Sequence, residues 1–515
     1  MDPPSFNAGL LGRLRSRHMA MQPPPSTRRS TELPSDELIE SHSQPQSFAL
    51  GTGAELFTRC LIPAILSARS EVILVTCFWA PSKTLTALHD ALAKLALHRA
   101  SMISDALSRG ERPLSPLSVR ICLSSRSLLQ KLLHPQSRHG YVYPPSSWPS
   151  KLGLPDAALL EAGAIQLRVK SLFFLPFSVL HPKFLIVDRQ RAFVPSCNVS
   201  WEAWLEGCVE ITGDAVQALM SFYSLTWEEG SPDFRHPLSL EAGDDGEGAG
   251  VLNARQAGVS LIPSTAHYLT ASFPGSPATL PTLVLPSTYH QNPHFHPLPW
   301  QKHPPPPPTP LNIALLQLFE QARRAIYIQT PNLTCKAVIH ALLDALKRGV
   351  DVTIVTSRKM MLLEQLVTAG TTTSWCIGSL VRRFRRLKAA LHRGDSAGTI
   401  HDLEAGRRSL GRLHVSYFRA RSSASSSRRE GRPLISGRAH PDAEEPVHSH
   451  LKLTIVDGED TVLGSGNMDR ASWYTSQELG VLFHGGAFAR TVKVGVDSVL
   501  EGRLELVFDS EGTRD

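Results

Sequence analysis

Residues 181–188 read HPKFLIVD and residues 450–457 read HLKLTIVD. Both fit the pattern H-x-K-x4-D, with His181, Lys183 and Asp188 in the first copy and His450, Lys452 and Asp457 in the second. From composition, roughly 0.02 chance matches are expected in such a chain, so a pair marks a repeated unit. The apolar run inside each copy reads as a buried strand. On a strand, residues two apart share a face, so an imidazole and an ammonium can converge on one anion. Asp, seven positions from His, points to the other face and reads as a structural acceptor or ion-pair partner.

More residues recur behind each motif. Asn198 follows His181 by seventeen positions and Asn467 follows His450 by seventeen, with Ser196 and Ser465 two places earlier in each. Glu210 and Glu478 come twenty-nine and twenty-eight after their histidines. A carboxylate there can hold a histidine's Nδ1 hydrogen and raise the basicity of the other ring nitrogen. Each half therefore offers His, Lys, Ser, Asn and Glu. The lysines and asparagines suit the non-bridging oxygens of a phosphodiester, with the serines beside them, and the two histidines suit attack and proton transfer.

Outward from the motifs the texture is α/β in both halves. Leu56, Cys60, Leu61 and Ala64 have helical spacing, Glu71 to Trp79 reads as a strand, Leu85 to Leu97 as a helix, and Ser118 to Leu123 and Ala164 to Val169 as strands. The succession returns with helical Ile313 to Ala325, a strand at Ile326 to Thr330, a helix at Ala337 to Arg348 stopped by Gly349, and strands at Asp351 to Thr356 and Leu413 to Phe418. The expected organisation is a disordered Pro/Ser/Arg-rich tail over 1–48, a first repeat over 49–235, and an acidic then Pro/His-rich linker over 236–310. A second repeat over 311–490 carries a basic insertion at about 382–446, and a C-terminal segment covers 491–515. Met360 and Met361, beside Leu362 and Leu363, read as core or pocket wall.

The 515 residues are 42% hydrophobic, which excludes a peptide or a wholly disordered chain. The net charge of +7 is too small for a dedicated DNA-binding protein, and it is concentrated: Arg382 to Arg438 holds fifteen Lys or Arg against four acids. Seven cysteines without CxxC spacing point to reduced thiols and no zinc site. No apolar run reaches transmembrane length, so the expectation is an intracellular protein, cytoplasmic or peripheral on a membrane. Arg13, Arg15, Arg28 and Arg29 are compatible with a mitochondrial presequence.

With its duplicated H-x-K-x4-D, the trailing Ser196/Asn198 and Ser465/Asn467 and an acid beyond, the sequence resembles the phospholipase D superfamily. It departs from that pattern at Pro182 and Pro195. The resemblance implies two similar α/β sandwich repeats with one active site at their pseudo-twofold interface. It implies His181 as nucleophile and His450 as acid and base, with Lys183 and Lys452 catalytic, and no metal or other cofactor. The leading expectation is a phosphodiesterase acting on phospholipids by hydrolysis or by phosphatidyl transfer of the cardiolipin synthase kind, with the basic insert meeting an anionic membrane surface. The rivals are a nuclease of the same superfamily, for which that insert would bind the nucleic-acid backbone, and a catalytically weak phosphate- or membrane-binding protein.

Overall fold

The computed structural model describes residues 3–20, 40–127, 130, 131, 134, 139–174, 179–228, 252, 268–273, 278–287, 304–393, 409–421 and 445–512. The acidic stretch 241–250, most of the expected linker and the tract 422–444 lie outside these residues. The chain divides into two compact units, a first within residues 41–280 and a second comprising residues 281–421 and 447–515 with the N-terminal helix.

The first unit is built on β1 (Glu40–Thr52), β2 (Glu71–Phe78), β3 (Leu117–Ser125), β4 (Tyr141–Val142), β5 (Ile165–Ser171), β6 (Phe184–Val187), β7 (Arg191–Pro195), β8 (Trp204–Thr212) and β9 (Leu269–Ser272). Their order across the sheet is β9-β1-β8-β7-β6-β2-β3-β5-β4. Only β2, β3 and β5 pair in parallel. β2 and β3 are buried on nearly every residue, as strands covered on both faces are, and the buried Arg120 of β3 is paired with Glu71 of β2 at 3.1 Å. The helix Lys83–Ser108, capped by the Ser82 hydroxyl, lays Leu88, Leu92 and Leu95 into the core.

The second unit contains β10 (Leu280–Ser287), β11 (Ala325–Thr330), β12 (Asp351–Ser357), β13 (Leu413–Phe418), β14 (His448–Ser449), β15 (Leu453–Val456), β16 (Asp460–Gly464), β17 (Glu478–His484) and β18 (Leu504–Asp509). Its order is β10-β17-β16-β15-β11-β12-β13-β18. From β10 to β13 this is the succession of β1 to β5 in the first unit, strand for strand and direction for direction.

The expected boundaries shift. The proposed tail holds a helix at Pro3–Ala20, because Phe6, Leu10 and Leu14, four residues apart, are buried against the helix Pro310–Gln321. Gln317 fixes it by donating to the Phe6 carbonyl at 2.9 Å. β1 begins at Glu40, and β10 falls inside the expected linker. Residues 491–515 are no appendage: the helix Gly486–Leu500 packs on the second unit, and β18 pairs with β13. Arg382 to Arg393 belong to the 21-residue helix Thr373–Arg393, so the basic segment begins as ordered structure. Among the described residues no helix is long and apolar enough to cross a membrane.

The H-x-K-x4-D spacing acquires a structural meaning here. The strand comprises only the four residues between Lys and Asp, FLIV in β6 and LTIV in β15, and His-x-Lys is the irregular lead-in. Both motif histidines and lysines were expected within the strand; the backbone enters the ladder only after the lysine. Asp188 and Asp457 open the three-residue hairpins that follow, at φ 51° and 56°. The Asp188 carboxylate accepts from the backbone amides of Arg69, Ser70 and Glu71 and from the Ser70 hydroxyl, at 2.7–3.1 Å. Asp457 accepts from the amides of Arg323, Arg324 and Ala325 at 2.7–3.3 Å. Each aspartate thus staples its hairpin to the neighbouring strand, five residues and about 16 Å from the lysine.

Asp457→Ala should therefore lower unfolding stability by about 1–3 kcal/mol, since three partly exposed amides lose one acceptor. Asp457→Asn should cost less, because Asn keeps an acceptor oxygen and tolerates the left-handed backbone. Denaturant titration of the three proteins reads the difference.

Candidate active site

The residue before each motif histidine is tied to the end of a central strand. In the first unit the Leu180 amide donates to the Ser124 hydroxyl, at the end of β3, at 2.9 Å. In the second, the Ser449 amide donates to Ser357 Oγ, at the end of β12, at 3.0 Å; Ser357 Oγ donates back to the Ser449 carbonyl at 2.9 Å. β3 and β12 hold the same place in their sheets. Gln329 adds a 2.7 Å bond from Nε2 to Ser449 Oγ.

Both lysines then fold back on their histidines. Lys183 Nζ donates to the His181 carbonyl at 2.8 Å, and Lys452 Nζ to the His450 carbonyl at 2.7 Å. Lys183, His450 and Lys452 are buried and His181 is half-buried. Burying an ammonium is costly without hydrogen-bond partners, so this contact fixes both the cation and the histidine backbone.

Ser196 and Ser465 are placed differently from the phosphate-binding role given to them above. Ser465 Oγ donates to Glu478 Oε2 at 2.5 Å and accepts from the Leu479 amide at 3.0 Å. Ser196 Oγ donates to Glu206 and accepts from the Gly207 amide at 2.9 Å. A hydroxyl has one proton, and here it is committed to a glutamate. These serines orient the glutamates.

That geometry also corrects the matched acids, because the partner of Glu478 in the first unit is Glu206, not Glu210. Glu210 instead accepts from Arg191 at 2.7 and 3.0 Å and from Ser47 at 3.2 Å. Glu206 and Glu210 lie four apart on β8 and so share a parity. Register decides between them: the Ser196 amide donates to the Gly207 carbonyl as the Ser465 amide donates to that of Leu479. The short helix Arg470–Tyr474 lengthens the second loop by three residues and displaces the count. A usable signal was the glycine that follows within two positions of Glu206 and Glu478 but not of Glu210.

The asparagines are anchored unequally. Asn198 Oδ1 accepts from the Phe78 amide at 3.2 Å, leaving its amide hydrogens available to an anion. Asn467 Nδ2 donates to Asp469 at 2.9 Å, its own amide donates to Ser472 at 3.2 Å, and its buried Oδ1 has no partner among the described residues. Burial pushes the Asp469 carboxyl above the usual carboxylate range against its bonds to Ser472 and Asn467. Glu202, near Lys183 and Glu206, is raised by the same cause. Among the described residues no group of three His, Cys, Asp or Glu is placed to hold a metal.

Residues 315–499 match the family described as "Cardiolipin synthase, PLD-like domain". The match gives the second unit a phospholipase D-like domain. No curated protein matches it in sequence. Among solved structures it is similar to a phosphatidylserine synthase of Haemophilus influenzae Rd KW20, at 14% identity over 92% of this chain and 90% of that one, with a TM-score of 0.49. NucT from Helicobacter pylori aligns at 14% identity over 38% of this chain and 89% of its own, with a TM-score of 0.22. A phospholipase D family member, Nuc from Salmonella typhimurium, aligns at 18% over 38% and 90%, with a TM-score of 0.21.

Ser465→Ala leaves the Leu479 amide without its acceptor and the buried Glu478 without its hydroxyl donor. The expected loss is about 2–4 kcal/mol of stability in the second unit. Ser465→Thr, which keeps a hydroxyl, should recover part of it. Hydrogen exchange at the Leu479 amide reports the change locally.

Proposed function

We propose that the two sets, His181/Lys183/Asn198 and His450/Lys452/Asn467, act on one phosphodiester, and that the substrate is a phospholipid cleaved by hydrolysis or phosphatidyl transfer. The observation that carries this reading is that each unit builds the same local constellation: a tethered histidine, a buried lysine bonded to its carbonyl, and a serine holding a glutamate. A duplicated device is what a displacement at phosphorus needs, since attack and leaving-group protonation fall on opposite sides. The description of the matching family, cardiolipin synthase, favours a lipid substrate. The basic segment at about 382–446 would meet an anionic membrane.

In this scheme the imidazole of His181 attacks phosphorus. The alkoxide leaves with a proton from the protonated imidazole of His450, giving a phosphohistidine. His450 then takes a proton from water or an acceptor alcohol as that oxygen attacks phosphorus, and the His181 nitrogen leaves. Lys183, Lys452, Asn198 and Asn467 meet the non-bridging oxygens, whose charge distribution changes in the transition state. Glu206 and Glu478 are positioning residues, and Asp188 and Asp457 stay structural.

Purified protein should release headgroup from labelled phospholipids, and a primary alcohol should divert part of the product to the phosphatidyl alcohol. Cleavage of single-stranded DNA with phospholipids untouched would instead establish the nuclease reading. Either His181→Ala or His450→Ala alone should lower turnover by on the order of 10³ or more. Retention of about half the activity in each would mean two independent sites. With an activated leaving group, His450→Ala should still form the covalent adduct and His181→Ala should not; intact-protein mass spectrometry distinguishes them.

A further inference from the structure

Met360 is 3% exposed, but the residues after it turn outward: Met361 is 40%, Leu362 39%, Leu363 77% and Leu366 43% exposed, and Trp375 nearby is 65% exposed. The expectation of core or pocket wall therefore holds for Met360 alone. Lys359 and Met361 adopt left-handed backbone at φ 59° and 50°, a conformation costly for side chains of this kind. The strained turn leads from β12 into the helix Leu362–Ala369 and presents its apolar side to solvent.

This surface is firmly mounted. The buried Gln365 accepts from the Thr373 amide at 2.6 Å and from its hydroxyl at 3.0 Å, and Thr373 Oγ1 accepts from the Leu333 amide at 3.0 Å. Those bonds lock the helix Leu362–Ala369 to the first turn of Thr373–Arg393, where Trp375 stands. The same end of the second unit carries His450, since Ser357, two residues before Lys359, holds Ser449.

Charge is arranged behind the apolar tip. Trp375, Arg382 and Arg386 are separated by seven and four residues, so they share one helix face, with the arginines about 10 and 16 Å further along the axis. Arg382, Arg383 and Arg386 are exposed. Beside them a cleft of about 770 Å³ is lined by His340, Lys347, Arg383 and Arg386, with Asp344 as its acid, bonded to Lys347 at 2.9 Å. The cleft is cationic on balance.

We infer that this face is a membrane-docking surface, with Met361, Leu362, Leu363, Leu366 and Trp375 inserting into an anionic phospholipid layer and Arg382, Arg383 and Arg386 meeting its phosphates. The spacing suits an interfacial element whose apolar tip reaches about 5–10 Å to the acyl boundary while Arg382 and Arg386, about 10 and 16 Å further along the helix, stay at the level of the headgroups or beyond it. Tryptophan is enriched at that level of a bilayer. Apolar surface followed by arginines that form no ion pair among the described residues also suits an anionic lipid better than an apolar protein groove, which would leave those charges unmet. The inference rests on the phospholipid reading only for its choice of surface, and its test involves no turnover.

The test is flotation of the full-length protein with vesicles of phosphatidylcholine and phosphatidylglycerol. Wild-type protein should bind, and Leu363→Asp/Leu366→Asp should reduce binding about tenfold or more at low salt. Arg382→Glu/Arg386→Glu should weaken binding at low salt and matter less at about 0.5 M salt, where charge is screened but insertion is not. Brominated lipid should quench the wild type more than Trp375→Phe, and circular dichroism should show all variants folded. Equal binding by the Leu363→Asp/Leu366→Asp protein, or no quenching that depends on Trp375, would overturn the inference. A dimer in solution that this double variant dissociates, with vesicle binding unchanged, would assign the face to a second copy of the chain. Vesicle binding that follows the expected pattern without phospholipid turnover would uphold the docking surface while the substrate reading fails.

Discussion

A buried ammonium donating to the carbonyl of the histidine two residues earlier is the contact on which the site depends. Lys183 and Lys452 are almost wholly withdrawn from solvent, so each must be hydrogen-bonded where it lies, and the nearest fixed acceptor is the backbone it has just left. That acceptor fixes the ammonium's position without cancelling its charge. The histidine is immobilised by the same bond from one side and by the serine tether from the other. An imidazole held through its own backbone keeps its ring nitrogens available, as the proposed role requires. The surrounding sheet supplies the strand ends to which these bonds attach.

Much of this was legible because motif spacing and strand geometry are the same fact. Four residues between Lys and Asp are a four-residue strand, and the apolar character of FLIV and LTIV places it in the middle of a covered sheet. The alternation of helices and strands around it followed from hydrophobic period, and those elements stand close to where the period put them. Period did not reveal where the strand begins. Alternation would place His181 and Lys183 on one face of a ladder they do not enter. The aspartates lie at the far end of the strand, where three amides of a neighbouring strand terminus need an acceptor.

Other parts were hidden because they depend on register and on contacts distant in sequence. Glu206 and Glu210 are equivalent by spacing on β8, and only pairing with β7 brings Glu206 to Ser196. The N-terminal helix has only three fully buried core residues, with Leu11 partly packed beside them, too weak a pattern to stand without the helix Pro310–Gln321 it covers. The exposure of Leu363 and Leu366 hinges on two left-handed residues at Lys359 and Met361, neither of which is a glycine that would have announced the turn.

The two units repeat their lysines and serine-glutamate pairs faithfully and differ around the asparagines. Asn198 is anchored by a neutral backbone amide at its oxygen, whereas Asn467 is anchored at its nitrogen by the buried carboxyl of Asp469. Both arrangements leave at least one amide hydrogen to donate, so both are compatible with holding a phosphoryl oxygen. Burial raises the nearby acid in both units, but Asp469 is bonded to Asn467 itself, whereas Glu202 is bonded to Ser200 and feels Glu206 and Lys183. The proposed reaction, which assigns attack to one histidine and proton transfer to the other, calls for unequal surroundings for two otherwise matched imidazoles. The inequality that the structure offers lies in how the two asparagines are anchored, beside motifs that are otherwise alike.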